Sequence, residues 1–304
     1  MPTKWVLTVA TVAGLLTSGL YLSVMGGPAY ILLQYLTQLP LFLVGLGLGF
    51  IPTLLSSCVA LVVALITDVT LGLVFFIGYV GPTLLVTYRA LLNRSAEGRA
   101  LEWYPAGRML AEITIYALLT LFLALIWFGN QDGGLAGVIE RAMTELLSGL
   151  GNEVAQSTID VLRRYLFVIP GLMGVSWIMM MAVNGALAQW MLASYGRNLR
   201  PSPTFREIKV PRWLSYCLIL SALLAFWGEG IFAFSGGSIT MILMVPFFFQ
   251  GIGVVHQWSC RSASSKLILV AFYLFIVLLQ WPILLVVGLG VADEWMNFRR
   301  HRVV

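Results

Sequence analysis

The chain has 304 residues, of which 60% are apolar and only 10% charged, where a soluble globular domain carries roughly 25% charged residues. So few charges cannot cover an apolar core of that size in water, which excludes a soluble domain and makes lipid the natural solvent. The net charge of +5 is concentrated between apolar runs rather than along one face, so it reads as membrane topology and excludes a nucleic-acid-binding surface.

A helical span needs about 20 mostly apolar residues to cross about 30 Å of hydrocarbon, and that ruler divides most of the chain. Met1-Pro-Thr-Lys4 precedes an apolar run longer than a secretory h-region, with no A-x-A cleavage site after it, so Trp5–Met25 is expected as a retained first span. After Gly26-Gly27-Pro28 the second span is Ala29–Phe50, interrupted by Pro40, and the third is the short Pro52–Thr67, closed by a turn at Asp68. The fourth, Val69–Leu92, is broken by Gly81-Pro82 and delivers the chain to the polar loop Asn93–Arg108. The fifth is Met109–Phe128.

Gly129–Arg164 cannot span. Leu135, Val138, Ile139, Ala142, Leu146 and Leu150 recur at steps of three or four with Glu140, Arg141 and Glu145 between them, the pattern of an amphipathic helix. A weaker one is expected over Glu153–Arg164, and both can lie flat in the headgroup layer. The sixth span is Tyr165–Ala193, bent near Pro170-Gly171, and the loop Ser194–Arg212 that follows carries five basic residues and is stiffened by Pro201, Pro203 and Pro211. Spans seven, Trp213–Phe234, and eight, Ile239–Trp258, form a hairpin across Ser235-Gly236-Gly237. The last apolar run, Leu267–Ala292, is split by Pro282.

The fold class is therefore all-α, a polytopic transmembrane bundle of eight spans plus a Pro-broken C-terminal helix. Three segments result: a five-span bundle over 1–128, extracytoplasmic amphipathic helices over 129–164, and the C-terminal spans with basic loops over 165–304. Lys and Arg favour cytoplasmic loops, and counting spans from a cytoplasmic Lys4 puts Asn93–Arg108, Ser194–Arg212 and Ser259–Lys266 on one, inner, side. The chain is accordingly expected in a bacterial cytoplasmic membrane, with the bilayer as its first partner. A ninth full span would leave Arg299, Arg300, His301 and Arg302 outside, against that bias. If Pro282 instead turns the chain back as two half-helices sheltered by protein, both ends stay inside. The returning form agrees better with the charges.

Several strings have a family character: Gln38-Leu-Pro-Leu-Phe-Leu-Val-Gly-Leu-Gly-Leu-Gly49, Glu102-Trp-Tyr-Pro-Ala-Gly-Arg108, Arg200-Pro-Ser-Pro203 with Val210-Pro-Arg-Trp213, Gln250-Gly-Ile-Gly-Val-Val-His256, and Gly288-Leu-Gly-Val-Ala-Asp293 through Phe298-Arg299. Together they resemble the YybS-like family of predicted bacterial membrane proteins, a domain of unknown function, over nearly the whole chain. That family is distantly similar to the S components of energy-coupling-factor vitamin transporters. The resemblance implies a helical bundle that binds a small molecule, with a small-residue stripe in the first span, here Ala10, Gly14 and Ser18, docking on a coupling subunit. The same stripe equally serves packing inside the protein's own bundle, and the extra C-terminal spans and the outer insert depart from a six-helix S component.

Polar groups within spans are costly and are functional candidates. Glu229, between Gly228 and Gly230 and with no basic residue within a turn, either meets a ligand or faces water at the interface. Asn184, Gln189 and Gln250 can bond between helices or line a binding cavity, and Glu112 can pair with Arg108. His256, with no Cys, Asp or second His beside it, is a poor metal ligand set and reads as a satisfied helix-end histidine or a proton-linked switch. Gly45-x-Gly47-x-Gly49 lies within an apolar span and marks close packing rather than a nucleotide loop. Cys58, Cys217 and Cys260 form no CxxC pair and read as packing residues. No catalytic constellation, metal set or cofactor motif is visible in the sequence, so the expectation is a non-enzymatic membrane protein with no cofactor. Either it binds a small solute through Glu229, Asn184 and Gln250, as an S component would, or it is a membrane scaffold of a cell-envelope or morphogenesis complex. Its protein partner would be a coupling subunit in the first case and an envelope complex in the second.

Overall fold

A computed structural model describes residues 3–95, 101–147, 165–166 and 168–299. Among these the chain is helical apart from one two-residue strand pair, and seven helices are long and apolar enough to cross a membrane. It is a multi-pass helical membrane protein. The chain falls into two compact units, Met1–Ile113 with Met179–Glu207 and Thr114–Ile178 with Ile208–Val304, and two of the three boundaries fall inside helices.

In the first unit α1 is Thr3–Leu22. The second span is two helices, α2 (Ile31–Gln34) and α3 (Leu39–Leu48), with Pro40 in the first turn of α3, where its missing N–H costs nothing. Pro40 therefore starts a helix rather than kinking one. Then come α4, Phe50–Thr67, and α5, Val69–Phe75, which begins where Asp68 accepts the Leu71 N–H at 2.8 Å, capping the helix at the turn read from the sequence. Gly81-Pro82 does not break the fourth span. A π turn over Phe76–Val80 takes up the misfit before α6, Gly81–Leu91, and the proline again falls in a first turn. The loop that follows holds an antiparallel pair, Asn93–Arg94 with Glu102–Trp103, and α7 runs from Ala106 to Phe128, three residues earlier than the apolar run implies. The core of this unit is set by α1 against α4. A Cβ on Gly14 would stand 2.5 Å from the Ser56 carbonyl oxygen and 2.8 Å from the Val59 Cβ, so only glycine allows the approach. Beyond it Tyr21 stacks on Phe75 and donates its hydroxyl to the Leu71 carbonyl at 3.0 Å.

The amphipathic helix is present as α8, Gly134–Leu147. The second one, expected over Glu153–Arg164, lies outside the described residues. α9, Ile169–Ser194, is one continuous helix with Pro170 in its first turn.

The seventh and eighth spans differ from their expected bounds. α10 is Trp213–Trp227 and α11 is Ile231–Ser259, so the turn is Gly228-Glu229-Gly230 and Ser235-Gly236-Gly237 is helical. The reason is steric. Gly230 adopts φ +53, which suits a turn, whereas a Cβ on Gly236 would lie 2.7 Å from the Ala225 nitrogen, so that glycine serves close contact between α10 and α11.

The C-terminal run is α12, Ser265–Leu279, and α13, Pro282–Met296, separated at Gln280, whose φ of 58 ends α12. Each has 15 residues, or about 22 Å at about 1.5 Å per residue, the same length as α10, so the placement of the ends of the run, not its length, separates a crossing from a return. α12 leaves from the end of α11, with Ser265 Oγ 3.4 Å from Ser259 Oγ and Tyr273 beside His256. α13 returns to that same end: Phe298 packs edge-on to Trp258, Lys209 reaches Asn297 at 3.0 Å, and Arg299 reaches the Ile208 carbonyl at 2.8 Å. Of the two readings of the Pro282 break, the geometry is that of the returning hairpin. In a background without native cysteines, Val304→Cys and Ala263→Cys are expected to react with an impermeant maleimide from the same side of the membrane. Labelling from opposite sides would mean that the hairpin crosses.

Candidate functional site

Of the residues picked out in the sequence, Glu229 and Gln250 do not share a cavity within their unit. Asn184 belongs to the first unit, Gln250 and Glu229 to the second. Glu229 is exposed in the α10–α11 turn, and Gln250 is buried near the other end of α11. The 20 positions from Gly230 to Gln250 correspond to about 30 Å of helix. No single small ligand bridges that distance.

Each polar residue has a definite role. Gln250 is the centre of a buried network at the end of the second unit that carries Val210. Its Oε1 accepts the Val210 N–H at 2.8 Å, and its Nε2 donates to Asp293 Oδ2 at 2.9 Å and Glu294 Oε2 at 3.3 Å. Both carboxylates are only 2% exposed. Asp293 is held by Arg299 through Nε at 2.9 Å and Nη2 at 2.6 Å, and Glu294 by Arg212 at 3.2 Å. Two buried acids facing two arginines leave the cluster neutral, which is the condition for keeping charges out of water. A tight helix crossing brings the acids there: a Cβ on Gly251 would collide with the Val286 carbonyl, and one on Gly290 with the Phe247 carbonyl, so α11 and α13 touch backbone to backbone. Asp293 and Arg299 stand out in the sequence only as parts of a family string and of the basic tail, and Glu294 not at all, because all three follow the last apolar run and look like a solvated tail. Two adjacent acids within six positions of an arginine were the available signal.

The first unit holds the basic loop in a parallel way. Arg200, 6% exposed, donates to the carbonyls of Ala90 and Tyr104, both at 3.2 Å, and lies 5.9 Å from the centre of the Trp103 ring. Burial pushes its guanidinium below the ordinary arginine pKa, while the Glu207 carboxylate pulls it up. Gln189 donates to the Arg200 carbonyl at 2.8 Å, so it ties a helix to a loop rather than a helix to a helix. Glu112 pairs with Arg89 at 3.0 Å and accepts the Tyr104 hydroxyl at 2.6 Å, in place of the pairing with Arg108 suggested by spacing. Burial, and after it that hydrogen bond, raises the Tyr104 pKa. His256 contacts the Tyr273 hydroxyl at 2.8 Å, which makes it a satisfied helix-end residue.

Among the described residues there is a cleft open enough to take a solute. It has a volume of about 430 Å³ and lies in the second unit at the Gly228–Gly230 turn, walled by Leu125, Leu135, Ala136, Ile231 and Phe234. Gly129, Gly133, Gly134 and Gly230 complete the lining, and a Cβ at Gly134 or Gly230 would meet nothing within 4 Å. Glu229, which precedes the lining residue Gly230 in the chain, is exposed.

Residues 11–294 match the family model described as predicted membrane protein DUF2232. The chain belongs to that family. No curated protein and no solved structure matches it, so the likeness to S components rests on the sequence resemblance alone. The stripe on which that likeness places docking is not at the surface of this family member. Ala10 and Ser18 are 1% and 2% exposed, and Gly14 lies against α4.

Two outcomes follow. Gly14→Leu is expected to destabilise the isolated protein by about 1–3 kcal/mol through overpacking, read as a lower melting temperature in detergent. An unchanged melting temperature would return the stripe to partner docking. Arg299→Ala strands the Asp293 carboxylate and should cost about 3–5 kcal/mol, while Arg299→Ala with Asp293→Ala recovers part of it. Equal losses in the single and double variants would break the pairing argument.

Proposed function

We propose that this protein is a non-enzymatic membrane protein that binds a small, largely apolar solute in the cleft at the Gly228–Gly230 turn, with Glu229, next to Gly230 in the chain, favouring solutes that carry a positive charge. The observation that carries the reading is the cleft itself. Its volume of about 430 Å³ falls within the roughly 300–1,000 Å³ of small-molecule sites, and its walls are the apolar surfaces such sites use. Four of its nine lining residues are glycines, which add no side-chain bulk to it. With the basic loops facing the cytoplasm, as the Lys and Arg bias favours, the cleft opens on the outer side of a bacterial cytoplasmic membrane. A binding role is what the S-component resemblance implies. Because the stripe is packed against α4, the proposal gives it no part in contacting a coupling subunit.

One observation favours a second reading, a membrane scaffold for an envelope complex. The basic loop is held by buried side chains at both of its ends, Arg200 and Gln189 in the first unit and Val210 in the second. A loop held in one shape is a better template for a protein partner than a mobile one. Crosslinking from Arg197 or Arg206 separates the readings, since recovery of envelope-synthesis proteins supports the scaffold.

The binding reading is checked with purified protein in detergent and a panel of apolar amines matched with neutral isosteres. Saturable thermal stabilisation by the amines is expected. It should be lost in Ala136→Trp, which fills the cleft, and Glu229→Gln should remove the preference for amine over isostere. A panel without any effect, or one that acts equally on Ala136→Trp, rejects the cleft as the site.

A further inference from the structure

We propose that the first unit carries a separate, buried binding site at the break in its second span, built from Gln38 and Asn184, for a small neutral molecule that presents a hydrogen-bond donor and a carbonyl acceptor side by side. This inference stands independently of the cleft.

Ile31–Leu48 is apolar enough to span, yet it is two helices with a turn over residues 35–38. In that turn the Leu39 N–H bonds to the Leu36 carbonyl at 3.0 Å, where a continuous helix would use Tyr35. The Tyr35 carbonyl accepts instead from Asn184 Nδ2 at 2.6 Å, and the same nitrogen donates to the Met180 carbonyl at 2.9 Å. Both amide hydrogens of Asn184 are thereby used. Its Oδ1 is buried and has no partner among the described residues.

Gln38 occupies the position before α3, is fully buried, and makes no capping bond. Neither its Nε2 nor its Oε1 has a partner among the described residues. Its direction follows from its neighbours. Gln38 and Phe42, four positions apart at the start of α3, lie on one face and are both fully buried, whereas the Tyr35 side chain is exposed. Tyr35 is bonded to Asn184, and Phe42 is the residue that a Cβ on Gly185 would meet, at 3.9 Å, with no other described atom within 4 Å. Gln38 is therefore one turn before Phe42, on the face that meets Gly185, and three residues after the carbonyl that Asn184 holds. Three unmet amide atoms, two of Gln38 and one of Asn184, thus lie where the start of α3 meets α9, and a Cβ at Gly185 would be accommodated beside them.

The unmet bonds define the ligand. Gln38 Oε1 and Asn184 Oδ1 each need a donor, and Gln38 Nε2 needs an acceptor. Among the described buried side chains of this unit there is no carboxylate, and the one buried cation, Arg200, is bound to loop carbonyls. An ionised ligand would have no counter-charge, so the ligand is neutral. The pattern fits an amide, lactam or urea edge, which glutamine and asparagine side chains match with paired hydrogen bonds. Broken spans with polar groups at mid-depth are where membrane proteins place such sites.

The test uses the full chain in detergent, with 2-pyrrolidone as the probe and cyclopentanone, which lacks the N–H, as its control. The expected result is saturable stabilisation by 2-pyrrolidone and none by cyclopentanone. Gln38→Leu and Asn184→Leu should each weaken binding by ten-fold or more, roughly the effect of one buried hydrogen bond. Gly185→Leu, which fills the space and leaves both amides intact, should abolish binding and guards against misfolding of the amide variants. No response of the wild type to 2-pyrrolidone, the outcome of an ordered water only, overturns the proposal, as does an equal response from Gly185→Leu. Ala136→Trp should leave this response intact, and Gln38→Leu should leave the amine response intact, so the failure of one site is distinguishable from the failure of the other.

Discussion

Hydrocarbon offers no hydrogen bonds, so every polar group placed within this chain's spans must find its partner in the protein or go without. The Gln250–Asp293–Glu294 network shows what meeting that demand requires. Two carboxylates that would be costly alone are neutralised by Arg212 and Arg299, and Gln250 joins them to the Val210 backbone. The contact exists only because Gly251 and Gly290 let two helices meet at backbone distance. Small residues and polar residues therefore act together, the first allowing the approach and the second fixing its register.

The same constraint shapes the first unit. Arg200 takes up carbonyls left free by the ends of helices and strands, including those of Ala90 and Tyr104, and in doing so fixes the start of the basic loop. Asn184 takes up a carbonyl left free by the break before α3. In each case a long polar side chain satisfies a backbone group at an interruption. Gln38 differs, because both of its amide atoms remain unmet. A buried amide unmet at both atoms, near an Asn184 Oδ1 that is also unmet, calls for a reason, and ligand recognition is one. The cleft at the Gly228–Gly230 turn is the opposite case, an apolar space with little polar direction, suited to affinity more than to selectivity.

Much of the architecture was legible from residues. Apolar run length marked the spans, Asp68 marked a cap, and the spacing of Leu135, Val138, Ile139 and Ala142 marked α8. Prolines and glycines were less legible because each has two uses. Pro40 and Pro82 sit in first turns rather than at kinks, and Gly236 serves contact where a turn was expected while Gly228 and Gly230 make the turn. A glycine that permits a positive φ and one that permits a close neighbour look identical in a sequence.

What the amino-acid order determined by itself was the class of protein, since 60% apolar and 10% charged residues leave lipid as the only solvent that suits the chain. It also determined where the polar candidates lie along the spans. Tertiary structure alone decided which of them meet. Asn184 and Gln250 look alike in sequence, but one answers a broken helix and the other a carboxylate pair some forty positions further along the chain. Those partners depend on which helices cross and at what depth. Hydrophobic periodicity carries no such information, because lipid-facing and helix-facing residues in a membrane are apolar alike.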